Sequence, residues 1–100
     1  MIRFQRTAVA SGINPLKAIQ WSKEMTEFIN GKYPGGNLQV FTGQFGSYGT
    51  IYWSAEFDDF TALDSWTQKI LADQGYWERI NKAEGLFQEG RGRDIVMRSA

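Results

Sequence analysis

An α+β domain with the element order β-α-β-β-α-β is predicted by three observations on the 100-residue chain. Four short stretches have the character of strands: the first alternates loosely between polar and apolar residues, and two others are rich in aromatic and β-branched residues. In two longer stretches the apolar residues recur every three or four positions, as in amphipathic helices. Glycine, proline and serine clusters separate the stretches. A chain of this length suits one domain with a modest core, so we expect residues 1–100 to fold as a single unit.

The first strand is predicted from Ile2 to Ala10, where the side chains alternate between two faces. Asn14-Pro15 then supplies an N-cap and a proline at the first helical position, and this helix should end near Gly31. Its predicted inner stripe consists of Ala18, Trp21, Met25 and Phe28.

A hairpin is predicted from FTGQFGSYGTIYWSAEF, residues 41–57, because two aromatic and β-branched runs flank a Gly-Ser-Tyr-Gly cluster. If residues 46–49 form a four-residue turn, the numbers of antiparallel partners sum to 95. Val40 would then pair with Ala55, and Thr42 with Trp53. This register places aromatic side chains on both faces of the hairpin.

A second helix is predicted after Asp58 or Asp59, either of which can cap it. Gly75 predicts an interruption, followed by a short helical segment that ends at Gly85, and a last strand is predicted near Asp94 to Arg98. The predicted inward side chains are Phe60, Leu63, Trp66 and Ile70 before the interruption and Trp77, Ile80 and Ala83 after it.

For one sheet with right-handed crossovers, this order gives a four-stranded antiparallel sheet with both helices on one face, the ferredoxin-like arrangement. The helices can cover only one face of the sheet. The other face still carries Phe41, Phe45, Tyr52 and either Val9 or Val96. Because such a patch is an association site, we predict a homodimer in which two sheets pack face to face.

The chain resembles the dimeric α+β barrel superfamily over nearly its whole length. The resemblance rests on the element order, on GTIYWSAEFDDFTALDSW, and on ADQGYWERINKAEGLF, where the second helix of such proteins breaks after an Ala-Asp pair. Within that superfamily, the chain is similar to NIPSNAP-like and antibiotic-biosynthesis-monooxygenase-like members. The resemblance implies two ferredoxin-like subunits that enclose a cavity. Haem-degrading members bind iron through histidine, and this chain has none, so that activity is not implied.

The composition excludes several classes of function. Without Cys and His, the chain has no disulfide, no thiolate zinc site, no Ser-His-Asp triad and no histidine-ligated metal, and we expect no cofactor or metal. Eleven basic and eleven acidic residues give zero net charge, which disfavours nucleic-acid and anionic-membrane partners. No apolar run approaches the ~20 residues that span a bilayer, and no signal-peptide pattern is present, so we expect a cytoplasmic protein.

The predicted ligand cavity lies between the sheet and the second helix or between the two sheets of the dimer, and its candidate residues are on the inward face of the hairpin and the strands beside it. Aromatic rings with a few converging polar groups are typical of a site for a hydrophobic small molecule with a polar end, either fatty-acid-like or aromatic. An arginine there would hold a carboxylate through paired hydrogen bonds. The predicted ligand-binding residues are Arg3, Gln5, Gln39, Phe41, Phe45, Tyr52, Ser54 and Arg93.

Two alternatives stay open. The protein could be a cofactor-independent monooxygenase or isomerase, with Glu56 as a general base and Tyr52 donating a hydrogen bond to an enolate oxygen. Structural ion pairs are commoner than catalytic carboxylates. We therefore expect Glu56 to form an ion pair with Arg3, Arg6 or an arginine across the dimer interface rather than to act as a base. In the second alternative the inward face is only a dimer interface and encloses no functional cavity.

Overall fold

A computed structural model describes residues 1–12, 14–43 and 49–100 of the chain. The elements are β1 (Ile2–Val9), α1 (Leu16–Lys32), a 3₁₀ turn (Pro34–Gly36), β2 (Gln39–Thr42), β3 (Thr50–Phe57), α2 (Phe60–Leu71), α3 (Gln74–Lys82) and β4 (Arg93–Arg98). The strands form one antiparallel sheet in the order β2-β3-β1-β4. The predicted α+β fold of ferredoxin-like topology is confirmed.

The two faces of the sheet differ in what covers them. On β3, Ile51, Trp53, Ala55 and Phe57 are buried under the helices, because alternate side chains of a strand point to opposite faces. We call the other side the open face. From the pairing of the strands it carries Arg3, Gln5, Thr7, Val9, Gln39, Phe41, Thr50, Tyr52, Ser54, Glu56, Arg93, Ile95 and Met97. Val9 is therefore on the open face, whereas Val96, paired with Phe4, is on the helix-covered one.

The predicted hairpin register is wrong by two residues. Val40 pairs with Trp53 and Phe41 with Tyr52, so the numbers of partners sum to 93. Gly49 is the only residue of the predicted turn that the structure describes, and the rest of that turn lies outside the described residues. The register depends on the length of the connection, which glycine content alone does not determine. Because the error is an even number, each side chain of the described pairs stays on the face predicted for it.

The helices begin where side chains accept hydrogen bonds from free backbone N–H groups. The Asn14 Oδ1 atom accepts from the Leu16 N–H at 3.1 Å, and the Asp59 Oδ1 atom accepts from the Ala62 N–H at 2.8 Å. Burial along α2 begins one turn after its start, at Leu63, so the predicted inward position of Phe60 is wrong. Phe60 lies in the first turn, outside the part of the helix that packs.

The second helical segment breaks at Ala72-Asp73, earlier than the predicted interruption at Gly75. Asp73 caps α3, since its Oδ1 atom accepts from the Gly75 N–H at 2.7 Å. Because α3 has its own N-cap, the positions that point to the core do not continue the spacing of α2. Tyr76 is the position that becomes buried. Trp77 is exposed instead, so its predicted inward position is wrong.

Candidate functional site

A cavity of about 390 Å³ lies between the sheet and the three helices. This volume is in the range of small-molecule sites. The lining is mainly aliphatic and aromatic, and its aromatic members are Phe4, Trp21, Trp53, Trp66, Tyr76 and Phe87. We call this space the helix-side cavity.

The indole N–H groups of two tryptophans are hydrogen-bonded to backbone oxygens. The Trp21 Nε1 atom donates to the carbonyl oxygen of Arg79, and the Trp66 Nε1 atom donates to that of Tyr33, both at 2.9 Å. With these polar atoms satisfied, the rings offer apolar surface to the cavity. Phe87 holds the ring of Trp21 in an edge-to-face contact with centroids 5.5 Å apart, which limits its freedom to move.

The exposure of its lining shows where the cavity opens. Among the lining residues that the structure describes, the exposed ones are Arg6, Leu71 and Asp94, and the rest are buried or half-buried. Arg6 and Asp94 are also the only charged residues of the lining. The cavity therefore opens between the end of α2 and strand β4, and its charge is concentrated at that opening.

Arg6 and Asp94 form a bidentate ion pair across neighbouring strands. The Arg6 Nε atom lies 2.7 Å from the Asp94 Oδ1 atom, and the Nη2 atom lies 3.0 Å from Oδ2. The hydrogen bond to Asp94 raises the pKa of the Arg6 guanidinium above its usual value, so this side chain stays charged. Its Cζ atom also lies 5.5 Å from the centre of the Phe4 ring, a cation–π contact.

A cluster of polar groups stabilises the break between α2 and α3, and we call it the Asp73 cluster. The buried carboxylate of Asp73 accepts from the Tyr33 hydroxyl at 2.6 Å and lies 2.7 Å from the Lys32 ammonium. The hydrogen bonds from Lys32 and Tyr33 hold the pKa of the Asp73 carboxyl well below its usual range, and the pKa values of Lys32 and Tyr33 are raised. The cluster ties the end of α1 to the cap of the helix that carries Tyr76.

The ligand-binding residues predicted from the sequence do not line the helix-side cavity. Seven of them share the open face, and the eighth, Phe45, lies outside the described residues. Their site role stays a prediction. A groove of about 600 Å³ lies at the edge of the sheet and is bordered by Gln39, Ser54 and Glu56. Its lining is mostly exposed and includes two glycines.

Glu56 is paired with Arg3 on the open face. The Arg3 Nε atom donates to the Glu56 Oε1 atom at 3.1 Å, and the Nη2 atom donates to the same oxygen. This is one of the ion pairs that the sequence suggested for Glu56. Tyr52 lies on the same face, so both residues proposed for catalysis point away from the helix-side cavity.

Sequence reasoning missed Arg6 and Asp94 as site residues. The signal was present, since Arg6 lies in phase with Ile2, Phe4 and Ala8, the apolar row of the first strand. An arginine in such a row must reach a partner or water at the edge of the core. Asp94 carried no comparable signal, because its partner becomes visible only when β4 pairs with β1.

Within residues 1–12, 14–43 and 49–100, no cluster of three or more acidic side chains is placed to bind a metal ion. Over the same ranges, none of the helices combines the length and the apolar character needed to cross a membrane.

Comparison with known proteins identifies the fold. No protein-family model and no curated protein matches the chain. Among solved structures, a NIPSNAP domain protein from Burkholderia xenovorans aligns with a TM-score of 0.83 and 13% identity, covering 100% of this chain and 95% of that one. A NIPSNAP family protein from Agrobacterium tumefaciens aligns with a TM-score of 0.81 and 14% identity, covering 99% and 92%.

An oxygenase shares the same fold. SnoaB, a cofactor-independent oxygenase from Streptomyces nogalater, aligns with a TM-score of 0.69 and 13% identity, covering 98% of this chain and 91% of that one. The chain therefore shares the ferredoxin-like α+β fold of these NIPSNAP proteins and of SnoaB. At these identities the likeness concerns the fold, and it transfers no activity.

Proposed function

We propose that the protein binds a hydrophobic small molecule with a polar end in the helix-side cavity. The supporting observation is a space of about 390 Å³ whose lining is aromatic and aliphatic, with charged side chains only at the mouth. Without a ligand the lining side chains lack partner atoms on the cavity side and lose their dispersion contacts. A fatty-acid-like or aromatic molecule would supply those contacts and keep its polar end near water.

We further propose that the protein is a homodimer joined through the open face. Phe41, Ile95 and Met97 are exposed there, with Phe41 at 51% of its full area. A second copy of the same face would cover them in a symmetric interface, as the fold type suggests. The predicted residues Arg3, Gln5, Gln39, Tyr52, Ser54 and Arg93 would then lie at or beside the boundary between the subunits.

No observation favours the enzymatic alternative. Glu56 is half-exposed and bonded to Arg3, on the face of the sheet opposite the cavity. A ligand in the helix-side cavity therefore contacts neither Glu56 nor Tyr52. The geometry supports a binding protein best.

The first test is titration with a panel of fatty acids and aromatic carboxylic acids, followed by intrinsic fluorescence and calorimetry. Trp21, Trp53 and Trp66 line the cavity, so a bound molecule should change their emission and raise the melting temperature. If no member of the panel changes either quantity, the binding proposal is wrong.

The second test locates the ligand with two neighbouring substitutions. Ala8 lines the cavity and Thr7 lies on the open face, so Ala8→Leu adds bulk to the cavity and Thr7→Leu adds bulk to the other face. We expect Ala8→Leu to weaken binding by about tenfold or more and Thr7→Leu to leave it nearly unchanged. The reverse result would place the ligand on the open face, where the sequence predicted it.

A further inference from the structure

We propose that Arg6 binds the carboxylate of the ligand after Asp94 has released it, so that the ligand is an apolar carboxylic acid. This assignment rests on the ligand binding proposed above and specifies the chemical class of the ligand. It makes the ion pair at the mouth of the cavity an exchangeable one, in which one carboxylate replaces another.

Asp94 already shows that the guanidinium of Arg6 is arranged for a carboxylate. Two parallel contacts, at 2.7 and 3.0 Å, join the Nε and Nη2 atoms to the two carboxylate oxygens. This side-on arrangement is specific to planar, two-oxygen anions. A ligand carboxylate in the same position would make the same two hydrogen bonds.

The arginine is the fixed member of the pair. Arg6 belongs to β1, a central strand held between β3 and β4, and its guanidinium lies over the ring of Phe4. The buried Tyr76 lines the same cavity. These contacts keep the guanidinium at the mouth when its partner changes.

The aspartate is the replaceable member. Asp94 belongs to β4, the edge strand next to β1 in the sheet, and all six residues of this strand are exposed. A half-exposed ion pair of this kind contributes little to stability, and a released Asp94 is already in contact with water. The exchange therefore leaves no buried charge without a partner.

The distribution of charge also determines which end of the ligand enters first. The lining behind the mouth carries no charged side chain, so the apolar body occupies the interior and the carboxylate stays at the opening. A ligand with an ammonium group would meet the positive charge of Arg6 at the same place. An acid is therefore expected to bind more tightly than the matching alcohol, and an amine less tightly.

The experiment compares decanoic acid, decan-1-ol and decylamine by calorimetry and tryptophan fluorescence, with wild-type protein and three variants. Because hydrogen bonds to charged groups are strong, we expect the acid to bind about tenfold to a hundredfold more tightly than the alcohol. Arg6→Gln should remove that preference, because the acid loses its two hydrogen bonds to the guanidinium. Asp94→Asn should strengthen binding of the acid by a few-fold, because it removes the competing carboxylate.

Arg3→Gln is the matched control, because Arg3 forms a similar ion pair on the open face. It should leave the preference for the acid intact. Circular dichroism shows whether each variant is folded. If Arg6→Gln does not fold, Asp94→Asn still tests the assignment independently. Equal binding of acid and alcohol to the wild type, or tighter binding of the amine, would overturn the assignment of Arg6 but leave the binding proposal standing. If none of the three molecules binds, the assignment of Arg6 is overturned, and the binding proposal is overturned as well when no member of the panel of fatty acids and aromatic acids binds.

Discussion

The two faces of the sheet carry two similar ion pairs in different surroundings. Arg3–Glu56 lies on the open face and Arg6–Asp94 on the helix-covered face, and the side chains are 46% and 51% exposed in the first pair and 47% and 48% in the second. Their chemistry and exposure are nearly equal. The second pair, however, borders a mainly apolar cavity, whereas Glu56 of the first pair borders an edge groove with a mostly exposed lining. What an ion pair can do therefore depends on the space beside it.

The largest effect should show that the two faces of the sheet contribute differently to the free energy of unfolding. Ile51 and Tyr52 are neighbours on β3, but Ile51 is 1% exposed under the helices and Tyr52 lies on the open face. We expect Ile51→Ala to lower the free energy of unfolding by about 2–5 kcal/mol, because it leaves a void in the core. Chemical denaturation at several protein concentrations measures this loss.

The matched variant Tyr52→Ala should behave differently under the same conditions. Its effect on stability should depend on protein concentration, because the lost contacts belong to the proposed dimer interface. If Tyr52→Ala destabilises as much as Ile51→Ala at every concentration, the open face belongs to the core of one subunit and the comparison fails.

The next effect concerns assembly. Phe41 on the open face and Phe60 on α2 are both phenylalanines exposed by about half, at 51% and 55%. Phe41→Glu should weaken the dimer by about thirtyfold or more, because a charge would replace a buried ring in the interface. Phe60→Glu should leave the dimer unchanged. Sedimentation equilibrium of the two variants measures the dissociation constant of the dimer. Equal changes in the two variants would argue against an interface on the open face.

An intermediate effect depends on pH and concerns the Asp73 cluster, which supports the helix-covered face. The folded state lowers the pKa of Asp73, so its contribution to stability is present above the ordinary carboxyl pKa of about 4 and is lost as the pH falls below that value. The pKa values of Lys32 and Tyr33 are raised, so their contribution is lost as the pH rises above about 10.

Asp73→Asn should therefore lower the melting temperature at pH 7 and flatten its dependence on pH below about 4. Asp64→Asn, which changes an exposed carboxylate of α2, is the control and should alter neither quantity. Thermal unfolding of both variants from pH 2 to 8 measures the difference. An unchanged acid limb in Asp73→Asn would show that other carboxylates dominate it.

The smallest effect is expected from the ion pairs themselves in the absence of ligand. Arg3→Gln and Arg6→Gln should each change the free energy of unfolding by less than about 1 kcal/mol, since both pairs are half-exposed. Urea denaturation measures both. A much larger loss for Arg6→Gln would identify the pair as a structural anchor and would argue against exchange of Asp94.

Local patterns were enough to predict most of the fold. Alternation in β1 and β3 and the caps at Asn14 and Asp59 depend on interactions within a few residues, whereas the break after the Ala-Asp pair was implied only by the resemblance to a known family. The errors arose where a position depends on something farther away. The hairpin register depended on the length of a connection. The burial of Tyr76 instead of Trp77 depended on the cap at Asp73, whose carboxylate is held by Lys32 and Tyr33 from the end of α1.

The sequence by itself determined the elements, their order and the face of the sheet on which most side chains lie, because period and turn chemistry are local properties. Only the tertiary structure decided where a ligand can fit. The helix-side cavity is bounded by residues from opposite ends of the chain, and the pair at its mouth joins Arg6 to Asp94. Such a space depends on how closely the helices pack on the sheet and on which strands pair. Neither property is encoded in a local pattern of residues.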